Sequence, residues 1–427
     1  MHWMLIGYMF LFIHRPFEVW PWLGELHVER IYMLMTLMVW LVAPGKRFLP
    51  NWQHAAYALF AASVVAAWVL SPYGEAGQKV VEDYLKILVF YVLLVTSVND
   101  ERGLKRIAVG FLAVMSLYLT HSLREYLGGR HTYRMGIARM IGVDSTLGDP
   151  NSFGASIVFA LPFVTAFWKY GLGGRTGKFA LAGYVGLSVL CILLTGSRSS
   201  LLGLIVWGLL TGVTIRRGWL FILGMLVFSP IAFLALPESL QTRFETIINP
   251  EVGSEIARQS GEGRIMGFFT GLELWAANPF AGVGPGAWRP ATGSSIESHN
   301  LFGQLVGEMG LIGFVSFGVI LAGFALNMNR IRKVKRDEPE LANSFPVQVG
   351  RAVGTAVILL LVMGLFGHNL FRFTWLWYGG FLIIANHVLM TEPLTVTEEE
   401  ADWDEEMLPE DWQYHEAHSV TSMLHPV

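Results

Sequence analysis

The stretch Ser298–Gly313, SHNLFGQLVGEMGLIG, sets a histidine and an asparagine at the mouth of an apolar helix, directly after the longest polar interval between hydrophobic runs. Gly303, Gly307 and Gly310 recur at three- and four-residue spacing and share one helical face, a small-residue stripe that lets a neighbouring helix approach closely. His299 carries two readings. Its imidazole can act as a base near neutral pH at a water boundary, with Asn300 as a second polar contact, or the pair simply caps a glycine-packed helix. Glu308 lies nine residues on, about 180° around the helix, so it cannot orient that imidazole unless the helix is broken.

Outward from this stretch, the chain is dominated by similar apolar runs. Hydrophobic residues make up 53% and charged residues 15% of 427, with a mean hydropathy of +0.48, too little polar surface for a soluble protein of this length. The composition therefore specifies an all-α, polytopic membrane protein. Twelve candidate helices are centred near Tyr8, Leu37, Val64, Phe90, Val114, Phe159, Leu187, Val206, Leu226, Phe314, Leu359 and Ile383. An even count puts both termini on one side. With the N-terminus cytoplasmic, the short basic clusters all fall inside, from Lys46 and Arg47 to the run Arg330, Arg332, Lys333, Lys335 and Arg336. The N-terminus lacks a basic leader and a small-residue cleavage site and reads as a retained span. Cys191 has no second cysteine with which to pair.

This topology leaves two sizeable loops outside, Gly128 to Asn151 and Leu236 to Glu297, and their basic residues are nearly all arginine. Arg130, Arg134 and Arg139 lie in the first, Arg198 in a tight outer turn, and Arg243, Arg258, Arg264 and Arg289 in the second. A planar guanidinium grips phosphate oxygens in pairs and tolerates partial dehydration better than an ammonium. The set thus suggests an anionic, phosphate-bearing ligand; snorkelling to headgroups or pairing with loop acids is the structural alternative. Within the second loop, GRIMGFFTGLELWAA places Ile265, Phe268, Phe269, Leu272 and Trp275 at near-helical spacing, as for an amphipathic helix at the membrane interface. The following NPFAGVGPGAW is too rich in Gly and Pro for regular structure and turns the chain back toward His299. GDPNSFG offers Asp149 as N-cap and Pro150 at the first helical position, and a helix N-terminus there also favours an anion.

Lys79, Glu82, Asp83 and Lys86 sit at the outer end of one span, where Lys79 with Asp83 and Glu82 with Lys86 can pair at i,i+4 or serve a substrate. From Glu392 onward there are eleven acidic residues and no Lys or Arg, a composition expected of a disordered cytoplasmic tail. Dinucleotide, P-loop and HExxH patterns are absent, so soluble-cofactor chemistry and nucleic-acid binding have no support.

His299-Asn300, nine residues, then Gly310-x-x-Gly313 resembles the signature of the O-antigen ligase family of bacterial inner-membrane proteins, which also includes O-antigen polymerases and protein O-oligosaccharyltransferases. LTGSRSSLLGL around Arg198, GRIMGFFTGLELWAANPFAGVGPGAW and GDPNSFG are similar to the same family, and the likeness runs from about Gly148 to Phe317. It implies a GT-C-like glycosyltransferase of about twelve spans with one long extracytoplasmic loop. Three segments follow: 1–147, spans and the first outer loop; 148–390, the ligase-like core with loop 236–297; and 391–427, the acidic tail.

The resemblance also implies a reaction. An acceptor hydroxyl of a lipid, protein or growing glycan attacks the anomeric carbon of a polyprenyl-diphosphate-linked glycan, and the diphosphate leaves with inversion, without metal or other cofactor. On this chain His299 would be the general base or acceptor-positioning residue, and Arg198 and Arg264 would hold the diphosphate. Asn300, Arg130, Arg134, Arg139, Arg258 and Arg289 are further candidates for substrate contact. A polymerase of the same family, and an anion carrier of a different class, are the alternatives. A carrier would be expected to show inverted repeats and broken helices at the bilayer midplane.

Overall fold

The computed structural model describes residues 1–134, 137–146, 148–171, 173–214, 218–247, 249 and 255–391, with backbone alone at 134 and 255–262. Arg216 and Arg217, the side chains of Arg134 and Arg258, and the acidic tail from 392 onward lie outside the described residues.

The chain begins with α1 (His2–Ile13), α2 (Pro16–Val19), α3 (Pro21–Glu25) and α4 (Val28–Val42), followed by α5 (Gln53–Val69), α6 (Gly74–Ser97) and α7 (Glu101–Leu127). A small antiparallel hairpin, β1 (Thr132–Arg134) and β2 (Ile137–Arg139), interrupts the helical pattern in the first loop. Then come α8 (Pro150–Tyr170), α9 (Gly174–Thr195), α10 (Arg198–Gly212) and α11 (Gly218–Leu234). The second loop forms α12 (Glu238–Glu245), α13 (Glu255–Ala277) and α14 (Trp288–Thr292), and the chain closes with α15 (Leu301–Asp337), α16 (Phe345–Gly364) and α17 (Thr374–Thr391).

All twelve expected centres fall within helices. Among the described residues five helices, α7, α8, α9, α15 and α16, are long and apolar enough to cross a membrane, and α5, α10 and α11 are shorter apolar helices. The first run departs from expectation. At twelve residues, α1 spans only ~18 Å, short of a ~30 Å hydrocarbon core, and the chain then turns through two short helices opened by Pro16 and Pro21.

Side-chain caps fix several starts, and the first was read from sequence. Asp149 accepts from the amides of Asn151 (3.0 Å) and Ser152 (3.3 Å), with Pro150 at the first helical position of α8. Asp100 and Ser197 cap α7 and α10 in the same way. The hydrophobic core closes around α17, which is buried on nearly all sides, as a helix apolar around its whole circumference must be. Trp377 packs against Phe373, Phe90 and Phe12 at ring separations of 4.4, 4.7 and 5.6 Å. At the periphery the pattern inverts: α11 exposes Leu223, Leu226, Val227, Phe228 and Ile231, an outward apolar surface that suits lipid as solvent.

On α6 the expected pairs are replaced by others. Lys86 reaches Asp83 at 2.9 Å, three residues away, and Glu82 instead accepts from Gln78 at 2.8 Å. Both i,i+3 and i,i+4 bring side chains together on a helix, so spacing alone does not choose between them.

Candidate active site

The site is built on a break in α15. Gly310 has φ +60° and ψ −155°, a conformation that only glycine adopts without large strain, and it interrupts the helical ladder. The carbonyls of Gly307 and Glu308 would normally accept from Leu311 and Ile312, four residues on. Here they accept from the amides of Val283 and Gly284, both at 2.9 Å, while the amides of Leu311 and Ile312 donate to the carbonyls of Pro279 (2.9 Å) and Phe280 (3.1 Å). The segment NPFAGVG thus threads into the break and satisfies all four displaced groups, which would otherwise be costly in a low-dielectric setting.

The glycine stripe has a different partner and a different extent from those expected. Gly303 and Gly307 meet Gly267 and Gly271 of α13, so closely that a Cβ on Gly303 would overlap the Gly267 carbonyl and one on Gly271 would overlap Gly303. Gly310 belongs to the break and not to this crossing. With its glycines turned inward, α13 shows Ile265, Met266, Phe268 and Phe269 on its outer side, the amphipathic arrangement read from sequence, although the helix starts at Glu255.

The cap of α15 is Asn300. Its Oδ1 accepts from the amides of Phe302 (2.9 Å) and Gly303 (3.0 Å), so the side chain is committed to the helix start rather than to a substrate. His299 is therefore not the cap. Glu308 is buried on the opposite side of the helix, bonded to Gln304 at 3.1 Å and turned toward the Gly286 and Trp288 amides, and it does not line the cavity that His299 lines.

That cavity, about 270 Å³, is bounded by Arg264 and His299 together with Asp149, Ser199, His368 and Arg372. Arg264 reaches it from α13, with its guanidinium 5.5 Å from the centre of the Phe366 ring. Burial and then the positive charge of Arg198 depress the Arg264 pKa to about 10, so the group stays cationic at neutral pH. Arg198, the first residue of α10, donates to Thr246 Oγ1 at 3.0 Å, and its neighbour Ser199 lines the cavity. Two guanidiniums from separate loops thus stand close enough to repel.

The other candidate arginines have different partners. Arg139 is buried, with Nε on the carbonyl of Thr195 at 2.6 Å and Nη2 on Asn151 Oδ1 at 3.0 Å. Arg243 donates to the carbonyl of Gly196 at 2.6 Å. Together they clamp the tight turn that presents Arg198, a structural task. Arg289 is paired with Glu297 at 2.8 Å, and neither Arg289 nor Arg130 lines the cavity. The N-terminus of α8, expected as a possible anion site, already holds the Asp149 carboxylate.

Two cavity residues went unnoticed in the sequence. His368 lies with its ring 5.7 Å from that of His299, and its pKa is lowered by its depth in the protein and then by His299 itself. Arg372 donates to the Ser152 carbonyl and to Ser156 Oγ, each at 3.1 Å, tying the loop between α16 and α17 to the first turns of α8. Burial lowers the Arg372 pKa, and the nearby Asp149 carboxylate partly offsets this. The signal was present as GHNLFR, a polar interruption between two apolar helices.

A family model described as O-antigen ligase matches residues 183–318. Residues 183–318 are thus similar to an O-antigen ligase family domain. This domain contributes Arg198, Arg264 and His299, whereas Asp149, His368 and Arg372 come to the cavity from outside it. No curated protein matches the chain.

Proposed function

We propose that this protein transfers a polyprenyl-diphosphate-linked glycan to an acceptor hydroxyl at the outer face of a bacterial inner membrane. One observation carries the reading. Arg264, with the charge of Arg198 against it, shares a cavity with His299 inside the ligase-family domain. A diphosphate offers oxygens to both guanidinium forks, and Ser199, next to Arg198, lines the cavity.

In this scheme the acceptor oxygen forms a bond to the anomeric carbon as the bond from that carbon to the diphosphate oxygen breaks. The electron pair leaves on the diphosphate, where Arg198 and Arg264 stabilise the developing charge, and the hydroxyl proton passes to His299. The attack comes from the face opposite the leaving group and inverts the anomeric configuration; no step requires a metal. A cavity of about 270 Å³ suits the reacting centre rather than the whole donor. The exposed Ile265, Phe268 and Phe269 of α13 offer an apolar path for the polyprenyl chain.

The test is donor affinity and single-turnover transfer measured side by side for His299→Gln. Donor binding should persist while transfer falls by about 10²-fold or more, the usual loss when a general base is removed. Undiminished transfer would strip His299 of the role.

A further inference from the structure

A second cavity, of about 500 Å³, runs along helices that also build the first, and on α16 it extends from Gln348 to Leu361, close to Met363 of the first. Helices α8, α10 and α16 each line both. On α8, Ser152 borders the His299 cavity and Lys169 the other. Their separation along the helix is ~25 Å at 1.5 Å per residue, comparable with the ~30 Å apolar thickness of a bilayer. The end of the second cavity that holds Lys169 and Arg351 therefore stands toward the face of the bundle opposite His299.

Four cations reach the second cavity: Lys169 from α8, Arg332 and Lys335 from α15, and Arg351 from α16. Among the described residues no carboxylate lines it and none of the four forms an ion pair. Their visible partners are neutral, with Lys169 on the Thr214 carbonyl at 3.2 Å and Arg332 on Asn329 Oδ1 at 3.4 Å. Asp337, the nearest acid along the chain, is taken by Arg336 at 2.9 Å. Lys169 and Arg351 are half-buried, where repulsion between like charges is screened less than in open water. The remaining wall is apolar, including Leu321, Phe324 and Ile358.

We propose that this cavity binds an anionic phospholipid, its phosphate held by Lys169 and Arg351 and an acyl chain laid along Leu321 and Ile358. A basic pocket between helices at one membrane face is the arrangement that recognises such headgroups. Inorganic phosphate offers the same charge to the cations but nothing to the apolar wall. The site is separate from the glycan-transfer site and does not depend on that reading.

The full chain, purified in a non-ionic detergent and stripped of lipid, is titrated with dioleoyl phosphatidylglycerol or dioleoyl phosphatidylcholine, and bound lipid is counted by native mass spectrometry. One equivalent of phosphatidylglycerol should bind about tenfold more tightly than phosphatidylcholine. The preference should fall at least about fivefold in Lys169→Gln/Arg351→Gln, persist in Lys169→Arg/Arg351→Lys, and survive millimolar inorganic phosphate. If the double glutamine variant does not fold, the exposed Arg332→Gln and Lys335→Gln single variants carry the same test. Equal binding of the two lipids, or a preference unmoved by charge removal, would overturn the site; displacement by phosphate would make it an inorganic-anion site and overturn the lipid assignment.

Discussion

Val283 donates its amide to the carbonyl of Gly307 at 2.9 Å, taking the place that Leu311 would fill if α15 ran on unbroken. The exchange depends on Gly310, where a Cβ would stand 2.5 Å from the Gly282 nitrogen and 2.6 Å from the Phe280 oxygen. We expect Gly310→Ala to lose on the order of 1–3 kcal/mol from backbone strain alone, with the overlap adding to it. A thermal melt in detergent that left the midpoint in place would contradict this account of the break.

Asn300 and His299 are adjacent and should separate cleanly. Asn300→Ala removes the cap and should cost about 1 kcal/mol of stability, read as a lowered melting temperature. His299→Ala should lower the melting temperature by less than Asn300→Ala does, because the backbone amides of Phe302 and Gly303 keep their acceptor. Equal thermal losses would mean that the division of labour between cap and cavity is wrong.

The arginines should sort by what they touch. Arg264→Lys keeps a charge but loses the planar fork, so transfer should drop while the fold persists. Arg139→Lys should instead destabilise the protein, because its Nε and Nη2 hold the Thr195 carbonyl and Asn151 at once. Melting curves and transfer rates on the same samples decide it. A stable, inactive Arg139→Lys would assign Arg139 to the ligand.

Glu18 gives a pH signature away from the cavity. Burial would raise its carboxyl, but hydrogen bonds from Thr146 and Ser145 and the charge of Arg15 outweigh burial and hold it at about 2, below its ordinary 4.5. The contribution is therefore fully present above pH ~4.5 and is lost as pH falls toward about 2, at most roughly 3 kcal/mol. Wild type should melt above Glu18→Gln at neutral pH, with the gap closing through that window. A gap independent of pH would show that the charge of Glu18 is not what tethers the 145–146 segment.

Reporter fusions address orientation. A fusion after Lys335 and one within 250–260 should report opposite compartments, the first cytoplasmic, because the basic clusters of the short loops favour the cytoplasmic side. Matching compartments would rule the proposed topology out.

The helices were legible because length and apolar content are properties of a segment by itself. All twelve centres lie in helices, and the Asp149–Pro150 start follows from local chemistry. Roles were harder to read, because a guanidinium that holds a carbonyl and one that faces a cavity are the same residue in a loop. Arg139 and Arg243 are turned into the protein by the fold of the Thr195–Ser197 turn, which their own positions do not announce. His368 and Arg372 were missed for the converse reason. Their loop is only a few residues long between apolar helices, and its importance comes from docking against α8. The break in α15 could be suspected from Gly310, but its partner lay in a stretch legible only as a turn.

The threaded segment also limits how the molecule can move. Withdrawing Pro279–Gly284 from the break would strand two carbonyls and two amides together, so the stretch bearing His299 and the loop returning from α13 must travel as one body. Any opening that admits a bulky glycan then has to hinge elsewhere, before α13 or at the loop between α16 and α17, and the histidine keeps its bearing on Arg264 throughout.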